Sequence, residues 1–313
     1  MITILGAGGA IANGIATILA AQNRPLRLVS RKAHAAPASA DLITADLTDK
    51  DQTLQAIAGS STVLLLAGLQ YNRKIWAEQW PRIMANTIEG CKRAGARLLF
   101  FDNVYMYGRV SGPMTEETPF RPCSRKGEVR ARIATSLIDE WKAGNLTAMI
   151  ARSADFYGPD TPNGLLNILL FDPLSKGQKA SWLVDDSLPH SFTYTPDASH
   201  AVVTLADTES AWNQTWHLPT APHPPTGNAL ISMAAAELRV APSYRVLSRP
   251  MLRVFGLFKP VVGEMVEMLY QNDSAYIFDS SKFARAFGFS GTPYPDGIRA
   301  TAASFRKASP PMS

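Results

Sequence analysis

The chain has 313 residues, 46 % of them hydrophobic and 18 % charged, which supplies a core and excludes disorder as the overall state. Lysine plus arginine exceeds aspartate plus glutamate by 31 to 26; the resulting +5 suits anionic ligands, and no basic run interleaved with aromatics points to nucleic acid. No apolar run reaches the roughly 18 residues of a membrane span, since the nearest, residues 251–269, is broken by Arg253, Lys259, Pro260 and Glu264.

The start, Met1-Ile2-Thr3-Ile4-Leu5, has no basic region or cleavage site of a secretory leader, so the expected location is cytoplasmic. Cys91 and Cys123 are too few for a disulfide framework and read as buried reduced thiols. The length allows one large domain or two intimate ones.

Residues 2–5 are a short apolar run that fits a buried strand. Gly6, Gly8 and Gly9 follow, and then Ile11, Ile15, Ile18 and Leu19 at helical spacing. Residues 26–29 read as a second strand, residues 35–40 with Pro37 as a loop, and residues 51–58 as a short helix. Residues 63–67 are apolar at consecutive positions, as in a parallel strand covered on both faces. A helix over 76–94 ends at Gly95, and 98–101 is again a strand. A helix over 129–142 stops at Gly144-Asn145, and residues 146–151 are the next strand.

This alternation predicts an α/β fold with a doubly wound parallel sheet. After Gly158 prolines multiply, which predicts a smaller, irregular C-terminal substrate domain. The expected division is a dinucleotide-binding domain over 1–157 with a return segment near 190–206, and a substrate domain over 158–189 and 207–313. The tail 309–313 reads as frayed.

The segment Gly6-Ala7-Gly8-Gly9-Ala10-Ile11-Ala12 lies where a strand turns into a helix. Glycine suits that place because a side chain would keep a pyrophosphate from the backbone amides, and the helix N-terminus adds partial positive charge. The second strand ends Ser30-Arg31-Lys32. An acid there would hold the ribose hydroxyls of NAD. Arginine suits the 2′-phosphate of NADP, so NADP is the first choice and NAD the second. A solvated basic loop is the plain alternative. Asp46, before Leu47, is placed to accept from the adenine amino group or to cap the turn before Thr48.

These residues resemble the short-chain dehydrogenase/reductases of the extended or atypical kind, the NAD-dependent epimerase/dehydratase family, over nearly the whole chain. Gly6, Gly9 and Ala12 match its Gly-x-x-Gly-x-x-Gly/Ala loop, Asp46-Leu47 its adenine-contacting pair, and Ala67-Gly68 the segment beside the cofactor. Asn86 and Gly90 resemble its asparagine-containing helix, and Met106-Tyr107-Gly108 its Val-Tyr-Gly. Glu116, Pro119 and Pro122 resemble its Glu-x-x-Pro stretch, and Arg152 with Phe156-Tyr157-Gly158-Pro159 its Arg and Tyr-Gly-Pro signature. Residues 192–198, with Asp197, resemble its return segment, and residues 276–288 its late Asp-x-x-Lys segment. The resemblance implies a Rossmann-type sheet and an oxidoreductase or epimerase acting on a nucleotide sugar or other carbonyl or hydroxyl substrate.

The family's Tyr-x-x-x-Lys pair and its serine are missing. Counting from Tyr107-Gly108 puts Asn103 at the serine position, Lys126 at the tyrosine and Arg130 at the lysine. Lys126, Arg130, Ile133, Leu137 and Trp141 share one helix face, so both cations should look at the cleft. Lys126 then becomes the candidate general acid/base, Asn103 a donor to the reacting oxygen and Arg130 the ribose contact. Asp102 is a candidate partner for a cation. Tyr71 and Tyr105 are candidate proton donors or packing residues.

Asn163, with Asn167, follows the Tyr-Gly-Pro segment as a candidate substrate contact, and Arg245 and Arg299 as diphosphate contacts or surface residues. Residues 251–258 read as core, with an apolar substrate pocket or a partner subunit as alternatives. His34, His190, His200, His217 and His223 are scattered, so no metal site is expected. The partners expected are a small-molecule substrate and a possible second copy, with no nucleic acid and no membrane. An alternative to an enzyme is a non-catalytic NADP-binding sensor or regulator.

Overall fold

The computed structural model describes residues 1–32 and 36–308; residues 33–35, His34 among them, and the tail 309–313 lie outside the described residues. The chain forms two compact units, Met1–Gly108 with Pro119–Ser153 and Ala198–Leu218, and Arg109–Thr118 with Ala154–Asp197 and the chain from Pro219 on.

The first unit is built on β1 (Ile2–Leu5), β2 (Leu26–Ser30), β3 (Ala40–Thr44), β4 (Thr62–Leu65), β5 (Arg97–Asp102) and β6 (Ala148–Arg152). In the second unit lie β7 (Asp155–Tyr157), β8 (Ala180–Leu183) and β9 (Phe192–Tyr194), after which β10 (Thr215–His217) returns to the first. The seven sheet strands run in the order β10-β6-β5-β4-β1-β2-β3, and every pairing is parallel. β1 and β4 are buried at every residue, Thr3 and Thr62 included, as in strands covered on both faces. Residues 40–44 extend the sheet as an edge strand, and 215–217 close its other edge.

The helices of this unit are α1 (Ala10–Ala21), α2 (Lys50–Ile57), α3 (Arg73–Ala94) and α4 (Arg125–Lys142). α2, α3 and α4 cover one face of the sheet, packing on Leu5, Val29, Val63, Leu65, Leu98 and Phe100. Two starts lie upstream of the sequence expectation because side-chain caps fix them. Asn72 accepts from the backbone N of Lys74 and Ile75 to open α3, and Ser124 accepts from Gly127 N to open α4. α3 ends where expected, at Gly95 in the left-handed conformation. Cys91 is buried, which pushes its thiol up to about 12. Cys123 is exposed, against the expectation of two buried thiols, because it precedes the Ser124 cap on a surface segment.

The second unit adds α5 (Asp172–Ser175), then α6 (Thr195–Asp207), along which the chain passes into the first unit. Further on come α7 (Gly227–Leu238), β11 (Tyr244–Leu247), α8 (Arg249–Phe258), α9 (Pro260–Val266), α10 (Ser281–Phe287) and α11 (Tyr294–Ala308). Two short parallel pairs, β7 with β9 and β8 with β11, support a core of Tyr157, Phe171, Trp182, Phe192, Ile231, Tyr294 and Ile298. Tyr157 stacks on Tyr294 at 6.1 Å, and burial raises the hydroxyl pKa of both.

Residues 251–258 are not core. In α8 only Leu252 is buried, while Met251, Val254, Phe255, Leu257 and Phe258 are exposed. The inward side is taken by α9, which approaches so closely that a Cβ on Gly256 would lie 2.8 Å from Gly263 Cα. The apolar stripe is left facing out.

Candidate functional site

At the C-terminal end of β1 the chain turns sharply. Gly6 has φ +95°, and a Cβ there would lie 2.3 Å from Ala67 Cα, so the turn and the segment after β4 approach at a distance only glycine permits. Gly6 N and Ala7 N both donate to Val29 O, at 2.9 and 3.0 Å, which ties the turn to β2. Gly8 is also left-handed, at φ +98°. Gly9 is the N-cap of α1, with no side-chain cap and no acid in the first turn, and nothing lies within 4 Å of where its Cβ would be. Ile11 and Ala12 anchor the helix in the core, with Ala10 partly covered before them. Uncapped amides of a twelve-residue helix therefore face open space between β1 and β4, where the strand order reverses. Such a place accepts an anionic diphosphate.

On the far side of β2, Ser30 Oγ donates to Lys32 O at 2.5 Å, and Arg31 and Lys32 are exposed. Asp46 Oδ1 accepts from Thr48 N at 2.9 Å and Thr48 Oγ1 at 2.8 Å. These bonds hold its carboxyl below the usual range, and the charge of Arg31 adds a smaller effect. The capping alternative for Asp46 is therefore realised. Leu47 is buried, and its carbonyl accepts from Asn86 Nδ2 at 3.0 Å, so the helix asparagine pins this loop. Ala67 is half-buried, and Gly68 is exposed with open space around it.

The third part of the site grows from the end of β5. Sheet register puts Asp102 beside Arg152 of β6. Asp102 Oδ1 accepts from Arg130 Nε at 2.7 Å and from Asn103 N at 2.9 Å, and Arg130 Nη2 lies 2.7 Å from the same oxygen. Asp102 Oδ2 lies 3.5 Å from Arg152 Nε. Arg152 Nη1 donates to Tyr107 Oη at 2.8 Å, and that hydroxyl is 2.8 Å from His217 Nε2. The guanidinium of Arg130 lies over Trp80 and Phe100 at 4.5 and 5.1 Å, and that of Arg152 over Tyr107 and Phe120 at 5.0 and 4.9 Å. Two buried arginines thus share one carboxylate, with aromatic faces where water would otherwise solvate them.

Asn103 is half-buried, and its Oδ1 accepts from Tyr105 N at 3.1 Å, which starts the 3-10 turn Tyr105–Tyr107. α4 is pressed on this turn at Gly127, whose Cβ would lie 2.6 Å from Tyr105 O. Lys126, next to it, is fully buried with its Nζ 4.4 Å from the Tyr71 ring centre. Tyr71 meets Trp76 edge-on at 5.7 Å, and Tyr105 stacks on the same indole at 6.1 Å. Lys126, Tyr71, Trp76 and Tyr105 are linked by these ring contacts, and Asn103 joins them through the backbone of Tyr105.

Arg130 shares the buried face of α4, as its spacing predicts, but its Nε and Nη2 are on Asp102. The sequence reading did not single out Trp76 and Trp80. Their spacing of four in α3, matched by the spacing of four between Lys126 and Arg130 in α4, was the available signal.

In the second unit Asn163 is exposed, whereas Asn167 is buried and its Nδ2 donates to Gly158 O at 2.8 Å. Asn167 therefore clamps its own loop. Arg245 is exposed, and Arg299 pairs on the surface with Asp296 and Glu237. His190 is paired with Asp155 at 2.9 Å and His217 with Tyr107. Among the described residues no group of three or more His, Cys, Asp or Glu could hold a metal ion, and no helix is long and apolar enough to cross a membrane.

A family model described as the NAD dependent epimerase/dehydratase family matches residues 2–216. The UDP-glucose 4-epimerase of Thermus thermophilus, solved with NAD, superposes with a TM-score of 0.80 at 18 % identity, over 98 % of this chain and 99 % of that one. A dTDP-glucose 4,6-dehydratase of Streptomyces venezuelae, also solved with NAD, gives 0.81 at 17 %, over 98 % of each chain. The UDP-glucuronic acid 4-epimerase of Bacillus cereus gives 0.78 at 17 %, over 98 % of each. Identities this low speak for a shared fold. No curated protein matches the chain in sequence.

Proposed function

The chain belongs to the NAD dependent epimerase/dehydratase family, and from that premise we propose that it binds a nicotinamide dinucleotide and acts on a carbonyl or hydroxyl substrate, nucleotide sugars being the first class to test. The uncapped glycine turn at the switch point carries this reading. Solved structures of the same fold hold NAD, and one such protein, MoeE5, was solved with UDP-glucose and with UDP-glucuronic acid, which supports the class of ligand.

The backbone amides of residues 6–12 would hold the diphosphate, with Ala67 and Gly68 on its other flank and Asp46 and Leu47 on the adenine side. Ser30, Arg31 and Lys32 favour NADP over NAD, because exposed cations at the end of β2 suit a 2′-phosphate. When bound, the nicotinamide would supply the hydride donor or acceptor. Lys126 exchanges the proton at the reacting oxygen, and Asn103 Nδ2 donates to that oxygen. Tyr71 covers the lysine Nζ with its ring face. Arg130 positions the Asn103 turn through Asp102, so a ribose contact would fall to its Nη1.

Calorimetric titration with NADP and NAD tests the cofactor. NADP should bind more tightly, and Arg31→Asp should reverse the order with a loss of about 1–3 kcal/mol for NADP. Gly9→Asp, which has room for its side chain, should stay folded and lose dinucleotide binding. Equal affinities in the parent protein would remove the NADP preference.

A second reading, a non-catalytic NADP sensor, is favoured by one observation: the position of the family's lysine holds an arginine fastened to Asp102. A panel of carbonyl compounds and nucleotide sugars separates the two. Turnover that Lys126→Met abolishes, with dinucleotide binding kept, supports the enzyme. Tight NADP binding with no turnover on the panel supports the sensor.

A further inference from the structure

We propose that the α8–α9 hairpin docks this protein onto an anionic lipid surface. Met251, Val254, Phe255 and Phe258 recur at i, i+3, i+4 and i+7 along α8, the spacing of a buried stripe, yet all four are exposed. Around the tip Leu257 is 81 %, Phe258 78 % and Val261 60 % exposed. The base of the hairpin is seated in a small core of Leu183, Leu252 and Leu269, with Val262, Met265 and Val266 packed on it. Gly256 and Gly263 bring the two helices into backbone contact, so the tip is held out by packing.

The charge pattern chooses the occupant. From Arg249 through Val266, the span of α8 and α9, the chain has three cations, Arg249, Arg253 and Lys259, and one acid, the half-buried Glu264. Arg249 is paired with Asp273, which leaves Arg253 on α8 and Lys259 at the α8–α9 turn as exposed cations. A second copy meeting this patch about a two-fold axis would set the exposed cations against their own equivalents, and the one acid of the hairpin, Glu264, is half-buried in α9. A small ligand needs a concave pocket, and side chains four-fifths exposed line none. An anionic bilayer offers phosphates to Arg253 and Lys259 and an acyl boundary to Leu257, Phe258 and Val261. Docking of this kind buries side chains about 5–10 Å into the interface and requires no membrane span.

The test is co-sedimentation of the full chain with vesicles of phosphatidylcholine alone and of phosphatidylcholine with phosphatidylglycerol. Binding should appear on the phosphatidylglycerol vesicles, weaken with salt and be much weaker on phosphatidylcholine. Leu257→Glu with Phe258→Glu should abolish it while thermal unfolding stays unchanged. Arg253→Gln and Lys259→Gln should each weaken binding about fivefold on the anionic vesicles, as expected for one basic residue at a charged surface. Phe258→Trp should show a blue-shifted emission on the same vesicles, a readout that does not depend on the glutamate variant folding. Absence of binding by the parent protein overturns the proposal, as does equal binding by a folded glutamate variant. An unshifted tryptophan overturns it too. So does a tip-dependent dimer that ignores vesicles, which would assign the patch to a second copy.

Discussion

In α4, Lys126, Val129, Arg130, Ile133 and Leu137 recur three and four residues apart and all are buried, cations included. In α8, Met251, Val254, Phe255 and Phe258 recur at the same spacing and all are exposed. The first helix meets a parallel sheet, the indoles of α3 and the carboxylate of Asp102, which together take up both apolar groups and charge. The second meets α9 across a pair of glycines, and its apolar stripe lies outside that contact. Helical spacing therefore says which residues share a face; what that face meets depends on neighbours distant in sequence.

The comparison breaks first at Asp102. Asp102→Asn removes the carboxylate shared by two buried guanidiniums and should cost about 3–5 kcal/mol in urea unfolding. Arg130→Met should cost less, because Asp102 keeps Arg152 beside it. The reverse order would mean that Arg130, not Asp102, is the centre of the network.

Ile133→Ala on the buried stripe comes next, at about 2–5 kcal/mol for a large apolar side chain deleted from a core. A loss under about 1 kcal/mol would show that α4 is less tightly packed than its burial implies.

The second unit has a core of its own, and alkaline pH reads it. Tyr157 and Tyr294 are buried, so their hydroxyl pKa values lie above the usual value near 10. The folded state keeps protons that the unfolded chain releases. Stability is therefore full below about pH 10 and falls as pH rises beyond it, by about 1.4 kcal/mol per pH unit per tyrosine. Denaturant midpoints between about pH 9 and 11 should show the decline, and Tyr294→Phe should make it shallower. A flat profile would mean both hydroxyls ionise in the folded state as freely as in the unfolded one.

The smallest effect belongs to the exposed stripe. Phe258→Ala should change stability by no more than about 0.5 kcal/mol, as for other surface positions. A larger loss would place α8 against a surface of the protein itself.

Much of the first unit was legible in the sequence. Apolar runs over 2–5, 63–67 and 98–101 read as buried parallel strands because they are short, bounded by turn signals and suited to a strand covered on both faces. Gly6 marks the turn because only a residue without Cβ fits 2.3 Å from Ala67 Cα, and Gly9 adds no side chain in front of the amides that open α1. The early starts of α3 and α4 were missed because Asn72 and Ser124 cap ahead of the first apolar residue.

By itself, then, the sequence determined which residues alternate, turn and share a face: the Rossmann-type sheet, the glycine turn, and Lys126 and Arg130 together on one side of α4. Tertiary structure alone decided where their charges went. Arg130 lies 28 positions from Asp102 along the chain and reaches it because β5 ends beneath the second turn of α4, while register fixes Arg152 alongside. The same kind of decision turned the apolar stripe of α8 outward, since the close approach of Gly256 and Gly263 gave its inner side to α9. Local spacing is fixed by backbone geometry, whereas the environment of each face depends on which distant elements the sheet order and side-chain size allow to meet it.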